Sequence, residues 1–348
     1  MDPIDGMELS TRLLAAEARR RGVEVEVLDA DDNFLRLSRA GRTEYVKQAT
    51  RTAADAYIAA LIMENKEVTK RVLRDHGLPV PAGFAVKSVD EAAPLWERFA
   101  GRGMVVKPRS TNFGEGVVIF KDESWRLGGT AAVARALGLD STVLLEEFVP
   151  GAEYRFLVVG DETVAVLHRV PANVTGDGAR SIRALVEEKN RDLRRGSGYV
   201  TPLEKIRLGE AEDGYLRAQD LDFDSVPAAG RTVFLRENSN ISTGGDSLDF
   251  TDAVHPGYKE AAVRAARAVG ARICGADLII PDVKAEPAPD RFSIIELNFN
   301  PALHIHDFPF VGENRRVEGK VLDLLGFPAE RGGGGSDLHE SFFDGVPH

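Results

Sequence analysis

Helix-like and strand-like segments alternate along this chain, which predicts an α+β (or α/β) fold class. Two observations carry that expectation. Short apolar runs such as "GMVVKP", "TVLLEEFV" and "GADLIIPD" have strand length and end at glycine, proline or charge. Between them lie stretches with helical spacing, the clearest being Ala262, Ala266, Val269 and Ile273 in a helix expected over 256–273.

The elements follow in order. A short amphipathic helix is expected over 7–21, then Gly22 and a strand, "VEVEVLD". A polar turn leads to "TEYVKQA". A helix from about Glu64 stops at Gly77, with Pro79 and Pro81 beyond it. Next come a helix near "DEAAPLWERFA", the strand "GMVVKP", the glycine-bearing loop "RSTNFGEG", the strand "VVIF", a helix near "TAAVARALG" and the strand "TVLLEEFV". After Pro150 come "YRFLVVGD", "TVAVLHRVPA", the turn "TGDGA", the helix "IRALVEEKN", the stretch "TVFLRENSNISTGG", the long helix, the strands "GADLIIPD" and "SIIELNF", and a last helix near "VEGKVLDLLG". The expected blocks are 1–63, 64–150, 151–327 and a glycine-serine tail, 328–348, to which no chemistry is assigned.

Composition excludes several classes. The 348 residues are 43% hydrophobic and 28% charged, enough for one large domain or two to three smaller ones. A net charge of -11 argues against a general nucleic-acid binder and for a soluble, cytoplasmic protein. No apolar run reaches the roughly 20 residues of a membrane helix. Cys274 is the sole cysteine, so neither an internal disulfide nor a thiolate zinc site is expected, and its apolar setting marks it as a small core residue.

Five stretches could carry chemistry. In "IIELNFNPAL", Glu296, Asn298 and Asn300 alternate with Ile295, Leu297 and Phe299, so a period-two strand sends the oxygen donors to one face. With Asp277 from a neighbouring strand these donors suit a hard cation such as Mg²⁺; a solvated sheet face is the competing reading. In "VVKPRSTNFGEG", Lys107 precedes a loop with Gly114 and Gly116, where backbone amides can approach phosphates; an ordinary hairpin loop is the alternative. In "LLEEFVPGAEYRF", a strand-to-loop hinge could bond a flat base and a glutamate could hold ribose hydroxyls, or the segment is a surface turn. Arg155, Arg169 and Arg236, with the small polar run "NSNISTGG", suit carboxylates and phosphates, although any one arginine also fits a surface ion pair. "HIHD" places His304 and His306 together, but no further His or Cys cluster completes a transition-metal site; His306 fits the cleft beside the strand better, and His168 is a weaker substrate contact.

Taken in order, "EYVKQAT", "LIMENKEVTK", "KPRSTNFGEG", "RVPANVTGDG", "PLEKI", "LRENSNISTGGDS" and "IIELNFNPA" resemble the ATP-grasp superfamily. The resemblance is closest to the glutathione synthetase module of bifunctional glutamate–cysteine ligase/glutathione synthetases, over roughly residues 8–327, with cyanophycin synthetases more distant. It implies two α+β subdomains clamping ATP: 64–150 as the lid subdomain and 151–327 as the C-terminal subdomain with the metal site, after a shortened N-terminal α/β element. It implies that Lys66 (or Lys70) and Lys107 contact ATP phosphates beneath the loop containing Ser110, Thr111, Gly114 and Gly116. Glu146, Glu147, Phe148 and Val149 would form the adenine hinge and Glu153 would hold the ribose. Asp277, Glu296 and Asn298 would hold Mg²⁺, or Mn²⁺ in its place. Arg155, Arg169 and Arg236 would meet substrate carboxylate and acyl phosphate, with Asn240, Ser242 and Asn300 lining the substrate pocket.

The implied activity is an ADP-forming carboxylate–amine ligase. γ-Glutamylcysteine and glycine are the leading substrates, and another amino-acid or natural-product peptide ligase is the alternative. A non-catalytic ATP-binding regulator is the reading from another class. Small-molecule partners are expected, with no nucleic acid and no membrane, and a homodimer is compatible with the sequence. The glutamate–cysteine ligase part of the bifunctional relatives, and most of a usual N-terminal ATP-grasp subdomain, have no counterpart in the sequence.

Overall fold

A computed structural model describes residues 2–111 and 115–329. The chain forms two compact units, neither continuous in sequence. The first comprises the described residues up to Ala54, Val164–Thr251, and those from Asn300 onward; the second comprises Asp55–Thr163 and Asp252–Phe299. These units cut across the consecutive blocks expected, since residues of 151–327 contribute to both.

In the first unit, the helix Leu9–Arg20 buries Leu9, Leu13, Leu14, Ala15 and Ala18 along one stripe. It packs beside the last helix, Val317–Leu324. The strands Glu24–Asp29, Phe34–Arg39 and Arg42–Lys47 form an antiparallel meander. Its middle strand lies where a polar turn was expected: Leu35 and Leu37 are buried and alternate with Arg36 and Ser38, a period too short to stand out among charges. Elsewhere in this unit Asp246–Asp249 pairs antiparallel with the end of Glu162–Val170, and Asn173–Thr175 pairs with Thr232–Phe234. The helices Ile182–Lys189 and Glu210–Arg217, the second not anticipated, close over Val174, Ile182, Val186, Leu216 and Val233.

In the second unit, four antiparallel strands run in the order Gly83–Val86, Val143–Glu147, Met104–Pro108, Val118–Phe120. Helix Trp125–Leu137 covers them over a core that includes Met104, Val106, Trp125, Val133 and Leu145. The helix expected at "DEAAPLWERFA" is one turn, Val89–Ala92, then a 3-10 stretch, Ala93–Phe99; Pro94 has no N–H to continue an α-helix. Ile273–Ile280 pairs antiparallel with Ala152–Val159 on one side and Ser293–Asn298 on the other. The helices Tyr57–Glu64, Lys66–Asp75 and Pro256–Val269 belong to the same unit. Asn65 divides the first two: its side chain accepts from Glu67 N and Val68 N and so caps the second. The long helix ends at Val269 because Gly270 turns left-handed at φ 77°, which leaves Ile273 to open the next strand. Cys274 is fully buried there, and burial pushes its thiol up to about 12, so it stays protonated core. Among the described residues no helix is long and apolar enough to cross a membrane.

Candidate active site

In the second unit, antiparallel register aligns three side chains across three strands. Arg155 lies opposite Asp277, and Asp277 opposite Glu296. Directly opposed residues share a face, so the row is a consequence of pairing. Arg155 grips Asp277 with two bonds, Nε to Oδ1 at 2.5 Å and Nη2 to Oδ2 at 2.8 Å. Asn298 Nδ2 donates to Asp277 Oδ2 at 3.3 Å. Asp277 is buried, and its charge holds the Arg155 guanidinium protonated against the cost of burial.

The strand carrying Glu296 departs from simple alternation. Its register shifts between Asp277 and Leu278, where Glu296 and Ile294 are the successive partners and Ile295 is the extra residue. Ile295 is accordingly half-buried, whereas Ile294 and Leu297 are core. The strand stops at Asn298, so Asn300 does not share its face. Asn300 belongs to the first unit, where it accepts from Thr50 Oγ1 at 2.9 Å and donates to Gln48 Oε1 at 3.1 Å.

A lysine group completes the second unit's cluster. Lys66 and Lys70 are one turn apart on their helix and therefore share a face. Lys66 Nζ donates to Thr111 O at 2.7 Å and lies 3.7 Å from Glu296 Oε1. Lys70 Nζ bonds Glu146 Oε1, and Lys107 Nζ sits 3.0 Å from Glu146 Oε2. Burial, with Lys107 close by, lowers Lys70 to about 7. Lys107 is also buried, but Glu146 outweighs that and raises it. Burial would raise the Glu146 carboxyl, yet Lys107 and Lys70 together hold it below the usual range. Lys66 is lowered by burial.

The phosphate-loop residues are placed in part. Gly114 lies outside the described residues. Ser110 N donates to Asp140 Oδ2 at 2.7 Å, and Thr111 Oγ1 donates to Glu115 O at 2.8 Å. Gly116 is left-handed at φ 74°, and a Cβ there would meet Pro108 Cγ at 2.8 Å, so glycine is required on both counts. In the expected hinge, Glu147 N bonds Ala82 O at 2.9 Å and Phe148 N bonds Gly103 O at 3.0 Å, while the Glu147 carboxylate accepts from Arg102. Val149 follows that strand, and Glu153 sits on the next one, opposite Ile279.

The chain is similar to several known proteins. The family described as "ATP-grasp-like domain" matches residues 5–58. The chain is 53% identical over 321 residues to the glutathione biosynthesis bifunctional protein GshAB of Clostridium perfringens, covering 92% of this chain and 41% of the relative. It is 51% identical to the protein of that name from Desulfotalea psychrophila, over the same shares. A crystal structure of a bifunctional glutathione synthetase from Pasteurella multocida aligns with a TM-score of 0.73 and 46% identity, over 92% of this chain and 44% of that one.

The chain has the ATP-grasp fold.

This ATP-grasp chain spans less than half the length of the relatives it matches. Its donor set suits a hard cation: Glu296 and Asn298 carry oxygens beside Asp277, whose carboxylate is held by Arg155. Glu296 is one-third exposed on its side chain, and the Asn298 amide nitrogen is committed to Asp277, leaving its oxygen as the acceptor. Both Asp277 oxygens accept hydrogen bonds, Oδ1 from Arg155 and Oδ2 from Arg155 and Asn298. Among the described residues no group of three or more His, Cys, Asp and Glu is arranged to hold a metal.

The three arginines of the ATP-grasp chain are not equivalent. Arg155 is occupied by Asp277 in the second unit, while Arg169 and Arg236 belong to the first. Arg236 Nε donates to Glu212 Oε1 at 2.6 Å, and Glu212 is buried. Arg169 is a buried strand residue opposite Ser247. Asn240 and Ser242 sit half-buried in a loop that ends in left-handed Gly244, whose added Cβ would lie 2.7 Å from Ile206 Cα. Sequence reasoning missed what fixes this loop: fully buried Arg195 donates to Gly244 O at 3.1 Å and pairs with Asp246, which also accepts from Lys189. No local pattern marks Arg195, because its partners lie about 50 residues on.

His304 and His306 are buried in the first unit. His306 is completely buried and does not line a cleft. His168 is half-buried against the edge of Phe250, and burial lowers it. His304 Nδ1 lies 2.8 Å from Ser10 Oγ, a spacing that suits a nucleophile and its base. That oxygen also accepts Leu303 N at 3.0 Å and His304 N at 3.3 Å, so Ser10 caps the short helix His304–Asp307. Burial pushes His304 down to about 4. A neutral buried histidine is expected to make stability fall as pH drops from about 6.5 towards 4, where the unfolded chain takes up the proton first, by up to about 3 kcal/mol. Urea midpoints measured across that range should flatten in His304→Gln; an unchanged slope would place the pH dependence elsewhere.

Proposed function

We propose that this chain is an ATP-dependent carboxylate–amine ligase that joins γ-glutamylcysteine to glycine. The supporting observation is the lysine-rich cluster of the second unit, beside Glu296 and Asn298, in a chain 53% identical to a glutathione biosynthesis protein. Lys66 and Lys107 would bind ATP phosphates, and the 146–149 hinge with Glu153 would bind adenine and ribose. Asp277, Glu296 and Asn298 would hold Mg²⁺ (or Mn²⁺), which supplies charge neutralisation at the phosphates when bound. Arg155, Arg169 and Arg236, with Asn240, Ser242 and Asn300, are the residues proposed for the substrates. Asp277 also fixes Arg155.

The chemistry needs positioning and neutralised charge more than a protein nucleophile. The substrate carboxylate attacks the γ-phosphorus, giving acyl phosphate and ADP. The amine then attacks the acyl carbon, loses a proton, and inorganic phosphate departs. Keeping water away protects the acyl phosphate. The same reading puts the enzyme in the cytoplasm.

The test is ADP release from Mg·ATP across amino acids and small peptides, with mass analysis of products. The expected result is ADP formed only with γ-glutamylcysteine and glycine together, in step with glutathione. ADP with a different donor or acceptor would keep the ligase class and replace the substrates. Binding of ATP without turnover on any pair would favour a regulator.

A further inference from the structure

We propose that Lys70 is the standing counter-ion of Glu146, a positioning residue that lets Lys107 move from that carboxylate to nucleotide phosphates without stranding a buried negative charge. The inference rests on the nucleotide reading of the lysine cluster and deepens it. Glu146 carries one charge and has two lysine amines on it, Lys70 on Oε1 and Lys107 on Oε2. One cation suffices to neutralise it, so the other is available.

Position says which one stays. Lys70 is held on the Lys66–Asp75 helix with its side chain 8% exposed, against 13% for Lys107. Lys107 stands near the end of its strand, just before the loop whose Ser110 and Thr111 are expected near phosphate. Lys66, one turn before Lys70, already reaches that loop through Thr111 O. Removing the sole partner of a buried charge is far costlier than exchanging one of two. Lys70 therefore makes the transfer of Lys107 affordable in energy.

A proton accompanies the move. While both lysines share Glu146, burial and repulsion from Lys107 hold Lys70 near 7. Once Lys107 turns to phosphate, that repulsion falls and Lys70 becomes the sole cation on Glu146, so it protonates more fully. Nucleotide binding near neutral pH should then take up a fraction of a proton from solvent.

Calorimetric titration with Mg·ADP at about pH 7.5, in two buffers of different ionisation enthalpy, tests this. The expected result is net proton uptake in the wild type that Lys70→Met abolishes. Lys70→Met should weaken Mg·ADP binding about tenfold, and Lys70→Arg should restore most of it. In a Glu146→Gln background the same Lys70→Met change should matter less than about twofold. That double variant has no carboxylate at position 146 for Lys70 to neutralise, and the proton measurement needs no variant at all. Equal losses in both backgrounds, or binding without proton uptake in the wild type, would overturn the role of Lys70 and leave the nucleotide site standing. A wild type that binds no Mg·ADP would overturn both.

Discussion

Asp277→Ala is expected to destabilise the ligand-free protein by roughly 3–5 kcal/mol, the usual consequence of leaving a buried charge without its partner. Arg155 would be that charge: it is buried, and Asp277 holds it with two bonds. Replacing both residues, as Arg155→Leu with Asp277→Leu, should recover most of the loss, because two apolar side chains need no compensation. Urea unfolding without nucleotide or metal makes the measurement. If Asp277 served only as a metal ligand, Asp277→Ala would leave the midpoint unchanged or raise it, since the repulsion from Glu296 across the strand pair would be relieved.

Lys107→Met is expected to lower ADP-forming kcat/KM by about 10²–10³-fold, the range seen when a preorganised charge is removed from a developing anion. Only the charge is deleted, since methionine keeps most of the stem, and Lys70 remains on Glu146 to preserve the fold. Steady-state ADP release with saturating acid and amine gives the number. The loss should fall on kcat more than on KM, because the charge matters most while the phosphoryl group moves. A loss below about threefold would remove Lys107 from the phosphate site.

Much of this arrangement was legible in the sequence, for a local reason. Strand periodicity and the breakers around it located "GMVVKP", "TVLLEEFV", "GADLIIPD" and "SIIELNF" to within a few residues. Grouping Asp277 with Glu296 also followed from local pattern, and the register places them directly opposite. The partners were not legible, because pairing is set by contacts far apart in sequence. Arg155 and Asp277 are 122 residues apart, and Lys70 and Glu146 are 76. Nothing near Arg155 distinguishes an arginine aimed at a neighbouring strand from one aimed at a ligand. The bulge at Ile295 was hidden likewise, since it arises from the partner strand and not from "SIIELN" itself. Asn300 was misplaced by extending a period beyond the residue at which pairing ends. The strand Phe34–Arg39 and the helix Tyr57–Glu64 were missed because a short polar-rich strand and an almost uniformly apolar helix each lack a clear amphipathic signature.

The discontinuity of the second unit bears on how the protein is made. Its second portion, Asp252–Phe299, leaves the ribosome only after Val164–Thr251 has been synthesised. Until Ile273–Ile280 arrives, Ala152–Val159 lacks the strand that pairs along its whole length, although six of its eight residues are destined for burial. For that interval the growing chain carries an apolar strand with an uncovered side, the kind of surface that chaperones shield and that drives aggregation. Translation that stalls between those two strands should therefore yield insoluble product, whereas release after residue 299 lets the Arg155–Asp277 pair close the sheet.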